Sequence, residues 1–188
     1  KTMTGTASQS TGQTPRYRVC FLLNSLGVGG IERQLLAQLR SYDRAKYDLH
    51  LITLYNYETH PALYDQLPAD VVVHKFYATY GRMNLKELWG VIKLFRQIKP
   101  DLVVSSMFGP NAFNRLTSVF LRYIPVPREH NTYTDRGLIQ RCIEHICSYI
   151  SPTIVAVSKE VANYSAQQSR IPREKFTVIN NGIDLKAI

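Results

Sequence analysis

The sequence predicts a three-layer α/β domain, Rossmann-like with a mostly parallel sheet, and two patterns carry that prediction. From Arg18 onward, short apolar runs alternate with helix-length segments, an order that builds right-handed βαβ crossovers. Several runs are apolar at successive positions, as strands covered by helices on both faces must be. At 188 residues the chain is long enough for one such domain.

Residues 1–17 open with KTMTGTASQSTGQTP, too poor in apolar side chains to offset chain entropy, and read as a flexible tail. Arg18–Asn24 (RVCFLLN) reads as a buried strand closed by the Gly-rich turn Ser25–Gly30. Ile31–Arg40 follows with Ile31, Leu35, Leu36 and Leu39 at helical spacing. Tyr47–Tyr55 and Val71–Phe76 are strand-like. Leu85–Lys99 is helical and must stop before Pro100. On it Leu85, Leu88, Ile92 and Phe95 are expected to line the buried face, with Lys86, Glu87, Lys93 and Gln97 opposite. Asp101–Met107 is the next strand and Asn111–Arg122 a helix. Val126–Asn131 is a short strand with a helix over Asp135–Tyr149 after it. Thr153–Val157 is a strand, and Ser158 is placed to cap a helix over Lys159–Gln168. Phe176–Ile179 is the last strand.

A hydrophobic fraction of 45% and a charged fraction of 20% exclude a wholly disordered or fibrous chain. Cys20, Cys142 and Cys147 are too few for a disulfide framework and contain no Cys-x-x-Cys pair, so a reduced, cytoplasmic setting is expected. No apolar run approaches the ~18 residues of a membrane span, and the chain opens at Lys1 without a signal-peptide pattern. A formal charge of +9 points to a polyanionic partner, whether nucleic acid, lipid headgroups or phosphorylated substrates. Nucleic acid is the weakest of these. The 12 tyrosines and 7 phenylalanines come with no RNP-like, helix-turn-helix or zinc-finger pattern.

In a doubly wound sheet, ligands bind beyond the carboxyl ends of the strands. Five segments then matter: Ser25–Gly30, Met107–Asn111, Asn131–Asp135, Ser158 and Asn181–Asp184. In the first, Gly27, Gly29 and Gly30 permit positive φ and close backbone approach ahead of a helix N-terminus suited to an anion. The dinucleotide spacing G-x-G-x-x-G fails, because Glu32 stands where its third glycine belongs. A P-loop fails because no Gly-Lys-Ser/Thr follows. A helix-entry turn without ligand remains an alternative at this point. No His/Cys/Asp cluster has metal-ligand spacing, so no metal is expected.

Ordered motifs then accumulate. Ser25–Arg33 (SLGVGGIER) follows the first strand and precedes a Leu-rich helix. Pro100–Ser105 (PDLVVS), Arg128–Asn131 (REHN), Ile154–Ser158 (IVAVS) and Ile171–Ile179 (IPREKFTVI) with Asn180–Asp184 (NNGID) come after it. Together they resemble the amino-terminal domain of glycosyltransferase family 4, of GT-B architecture, over residues 18–184.

The resemblance implies a two-lobed enzyme that moves a sugar from a nucleotide-sugar donor to a saccharide or lipid-linked acceptor with retained anomeric configuration. This chain is then the acceptor-side lobe, residues 185–188 open the interdomain linker, and the donor lobe with its E-x7-E segment would follow. His130 is the expected catalytic-site histidine, hydrogen-bonding the transferred sugar. Gly27, Gly29, Gly30, Asn111, Asn131 and Ser158 are the expected contacts to donor phosphate or acceptor. Many family members have a histidine within the fourth strand, where this chain has Ser105, Ser106 and Met107. No cofactor is implied beyond the nucleotide-sugar co-substrate. His50, His74 and His145 read as structural. On Leu85–Lys99, Lys86, Lys93 and Arg96 flank Trp89, and with the net charge they make an anionic membrane surface an expected partner and a peripheral location an expectation. The competing function class is a non-catalytic Rossmann-like module binding phosphorylated ligands or nucleic acid.

Overall fold

The computed structural model describes residues 16–55, 61–78, 85–134 and 136–182. Within them run β1 (Tyr17–Leu23), α1 (Gly30–Ser41), β2 (Tyr47–Tyr55), a 3-10 turn (Pro61–Gln66), β3 (Val72–Ala78), α2 (Leu85–Ile98) and β4 (Leu102–Ser106). Next come α3 (Phe108–Leu121), β5 (Ile124–Glu129), α4 (Leu138–Ser148), β6 (Ile154–Ala156), α5 (Lys159–Ser169) and β7 (Phe176–Val178). The strands form one seven-stranded sheet in the order β3-β2-β1-β4-β5-β6-β7. Every strand pair is parallel.

Alternation along the strands sorts the core into two layers. Val19, Phe21 and Leu23 of β1 join Leu35, Leu36 and Leu39 of α1 on one face of the sheet. Cys20 and Leu22 join Val91, Phe95 and Ile98 of α2, with Tyr123, on the other. A smaller cluster fixes α5 to the far strands through Ile154, Ala156, Val161 and Ala162.

Three expectations change. Tyr17 belongs to β1, pairing with Tyr47, so the folded part begins earlier than residue 18. On α2 the fully buried residues are Val91, Phe95 and Ile98, whereas Leu85 is 76% exposed. The buried stripe of α2 thus begins two turns into the helix, at Val91. Helix α3 begins at Phe108, ahead of the expected Asn111. The expected tail through Pro15 and the Ile183–Ile188 segment lie outside the described residues.

Helix α4 is built differently from its neighbours. It packs chiefly on α3 and α5, and its buried side chains are Glu144, Cys147 and Ser148. Glu144 Oε2 accepts from Arg115 Nη1 at 2.5 Å. That guanidinium is fully buried, and its Nε donates to Ser151 Oγ at 3.1 Å.

A candidate active-site crevice at the strand reversal

The chain reverses its winding between β1 and β4, which are neighbours although β2 and β3 intervene in sequence. Loops at the carboxyl ends of such strands diverge and leave a crevice. The Gly-rich turn leaves β1 there, Ser105–Met107 end β4, and Glu129–Asn131 end β5. Asn24 Nδ2 donates to Met107 Sδ at 3.4 Å and ties the first two loops together. A cavity of about 210 Å³ opens beside this bond, lined by Asn24, Met107, Gly109, Tyr133, Arg136 and Gln140. Met107 holds φ 77° and ψ 156°, a backbone region that costs a non-glycine residue about 1–3 kcal/mol. The strained residue thus sits on the cavity wall.

The glycine turn departs from expectation. None of Gly27, Gly29 and Gly30 takes up a positive φ. A Cβ at Gly29 would collide with the Glu32 carboxylate, which folds back over the entrance of α1, while Gly27 and Gly30 face open space. Glu32 therefore complements the helix dipole itself. The free volume for a ligand lies at the other two glycines.

The end of β5 divides the ionisable groups Arg128, Glu129 and His130 between the sheet faces. Arg128 donates to Gln38 of α1 at 2.8 Å, so His130, two positions on, shares the α1 side. His130 Nε2 lies 3.1 Å from Ser106 Oγ, at the end of the adjacent strand. Burial, helped by the nearby Arg128 charge, pushes its pKa down to about 4, leaving a neutral imidazole at pH 7. Glu129 points the opposite way. It accepts from Arg136 Nη2 at 2.7 Å and from Asn111 Nδ2 at 3.3 Å. Burial pushes its carboxyl up to about 7 against the lowering effect of Arg136.

The remaining candidates separate. Asn111 is fully buried: it accepts from Ser105 Oγ at 2.8 Å and donates to Arg128 O at 3.1 Å. Its amide joins α3 to β4 and β5. Asn131 is exposed beside His130. Ser158 accepts from the Val161 N–H at 3.2 Å as the cap of α5, one strand beyond β5. The structural readings of three other histidines agree with the geometry. His50 Nδ1 lies 3.1 Å from His74 Nε2 in a stacked pair, and His145 Nδ1 lies 2.9 Å from Arg170 O. Sequence reasoning missed Asn24, Tyr133 and Arg136. Asn24 was discoverable as the polar residue closing β1, but nothing in the pattern marked Arg136.

Among the described residues no group of three or more His, Cys, Asp or Glu is arranged to hold a metal ion, and no helix is long and apolar enough to cross a membrane. No match appears among curated proteins. Among solved structures, the HepE protein of Anabaena in complex with UDP superposes with a TM-score of 0.71 at 17% identity, covering 90% of this chain and 45% of that one. A glycosyltransferase from Rickettsia africae gives 0.71 at 16%, over 90% and 44%. A UDP-GlcNAc 2-epimerase from Methanocaldococcus jannaschii gives 0.60 at 17%, over 87% and 45%. The chain thus spans less than half the length of these proteins, and the likeness is one of fold. The model for Glycosyltransferase Family 4 matches residues 28–187, and the chain belongs to that family.

Proposed function

We propose that this chain is the acceptor-side lobe of a retaining glycosyltransferase that moves a hexosyl group from a nucleotide-sugar, of uridine diphosphate type, to a saccharide or lipid-linked acceptor in glycan synthesis. The observation that carries the reading is His130: neutral, within 3.1 Å of Ser106 Oγ, and set at the carboxyl ends of β4 and β5, on the α1 side of the sheet. HepE has been solved with UDP and with UDP-glucose, which supports the donor class.

In the proposed reaction the bond between the anomeric carbon and the diphosphate oxygen breaks. The acceptor oxygen bonds that carbon on the same face. The acceptor proton passes to the departing phosphate oxygen, and the nucleoside diphosphate leaves. A cation-like sugar beside a departing phosphate is best served by a neutral hydrogen-bonding group, and a depressed imidazole pKa provides one. Among the described residues Ser106 is the bonding partner of Nε2, and Nδ1 remains for a sugar hydroxyl. Backbone at Gly27 and Gly30 lies open to the donor diphosphate, and Asn131 to either substrate. Ser158 contributes through its position at the end of β6. No bound cofactor enters the scheme.

The test is transfer by the full-length protein, screened against nucleotide-sugars with product analysis. His130→Ala should lower turnover at least about tenfold, the loss of about 1.4 kcal/mol of transition-state stabilisation, in protein that remains folded by circular dichroism at the assay temperature. Epimerised nucleotide-sugar with no transfer, or unaltered turnover in the variant, would overturn the reading.

A further inference from the structure

The geometry points to a membrane-docking face: we propose that the outer surface of α3 and α4 lies on an anionic lipid bilayer. Helix α4 is inside-out. Toward the body it buries Glu144 against Arg115, while toward solvent it presents Leu138 at 77% exposure, Ile139 at 78% and Ile146 at 66%. Adjacent α3 continues the apolar surface with Leu116, Val119 and Phe120, the last at 80%. Isolated exposed apolar residues are ordinary, but six of them gathered on two helices that pack together mark an interaction site.

Charge selects the occupant. The sole acid on α3 and α4 is Glu144, which is buried and paired. The cations around the patch are Arg122 at the end of α3, Arg141 on α4 and Arg170 at the end of α5. Arg141 and Arg170 also wall a groove of about 410 Å³ between α4 and α5. Neighbouring α2 adds an exposed stripe of Lys86, Trp89, Lys93 and Arg96. An apolar face rimmed by cations, in a chain of net charge +9, fits acyl chains below and anionic headgroups around. The sequence-based expectation of a membrane surface rested on α2 and the net charge. The structure moves its apolar centre to α3 and α4. Leu138 and Ile139 begin α4 on the crevice side of the fold, so a bilayer there would present lipid-linked acceptors to the site. This last consequence rests on the proposed transferase reading, whereas the docking face does not.

Cys142 lies exposed on α4, whereas Cys20 and Cys147 are buried, so an environment-sensitive fluorophore attached to the native chain reports from the patch. Its emission should shift to the blue with vesicles containing phosphatidylglycerol, not with pure phosphatidylcholine, and the shift should reverse at high salt. Unlabelled protein should cosediment with the same vesicles. Arg122→Gln with Arg141→Gln should weaken binding about tenfold or more. Phe120→Ser with Ile139→Ser should abolish it while leaving the unfolding midpoint unchanged, since both side chains are largely exposed. Unchanged emission on anionic vesicles, or undiminished cosedimentation of the serine variant, would overturn the proposal. So would a blue shift on concentrating the protein without lipid, accompanied by a dimer mass, which would make the face a contact between copies. Vesicle binding without sugar transfer counts against the enzyme reading only, and transfer without vesicle binding against this one only.

Discussion

Helices α1 and α4 both have one polar and one apolar side, yet they are mounted with opposite polarity. Helix α1 turns Leu35, Leu36 and Leu39 to the sheet and leaves its charged residues outside. Helix α4 turns Glu144 inward to Arg115 and its leucine and isoleucines outward. Amphipathicity alone therefore does not say which side of a helix is buried. The partner surface decides, and for α4 that surface was already charged. A guanidinium at Arg115 on α3, fully buried, demands an anion, and only α4 can supply Glu144. The apolar stripe then points away from the body as a consequence of that pairing.

The comparison can be broken most forcefully at its ionic side. Arg115→Met leaves Glu144 buried without a counter-charge and should cost about 3–5 kcal/mol in urea unfolding. Arg115→Met with Glu144→Leu should recover most of that loss. An equally destabilised double variant would mean that the pair is not what holds α4. On the apolar side, Leu39→Ala in α1 should cost about 2–5 kcal/mol as a core cavity.

Titration sharpens the contrast. Glu129, held above its ordinary range, binds more protons folded than unfolded between about pH 4.5 and 7, so its contribution falls as pH rises. His130, held at about 4, binds fewer protons folded than unfolded between about pH 4 and 6.5, so its contribution rises with pH. The two slopes oppose across pH 4.5–6.5. Relative to wild type, His130→Gln should make the slope of stability against pH more negative by about 1 kcal/mol per unit, and Glu129→Gln should make it more positive by a similar amount. Slopes that change in the same direction from wild type in the two variants would contradict the opposed environments. The smallest effect belongs to the outer face of α4, where Ile146→Gln should shift stability by less than about 0.5 kcal/mol.

The fold was legible because strand periodicity and buried runs are local signals. The expected Tyr47–Tyr55 strand agrees with β2 residue for residue, and α1, α2 and α5 agree at their starts to within a residue. The site was legible only as far as the strand ends. His130 and the glycine turn lie at the crevice because a parallel sheet places every strand's carboxyl end there. Burial at those ends was not legible. Asn111 follows β4 as expected, but its amide is taken by Ser105, Arg128 and Glu129, partners brought together from different strands. Glu32 covering Gly29 depends on a rotamer, and the side of α2 that is buried depends on the sheet beneath it. Each of these is a tertiary fact with no local signature.

The register of β1 carries a consequence for how the chain reaches this state. Its amide at Arg18 donates to Asp101 Oδ2 at 2.7 Å, and the Arg18 guanidinium to Ile98 O at 2.9 Å, closing contacts 83 and 80 residues apart. During synthesis, β1 and β2 emerge together, while the partner for the other edge of β1 waits for β4. Until then Cys20 and Leu22 border an unpaired strand edge, the geometry that invites pairing with another chain. Such long-range closure makes for slow folding, so nascent chains released before residue 106 should be the species most prone to aggregate.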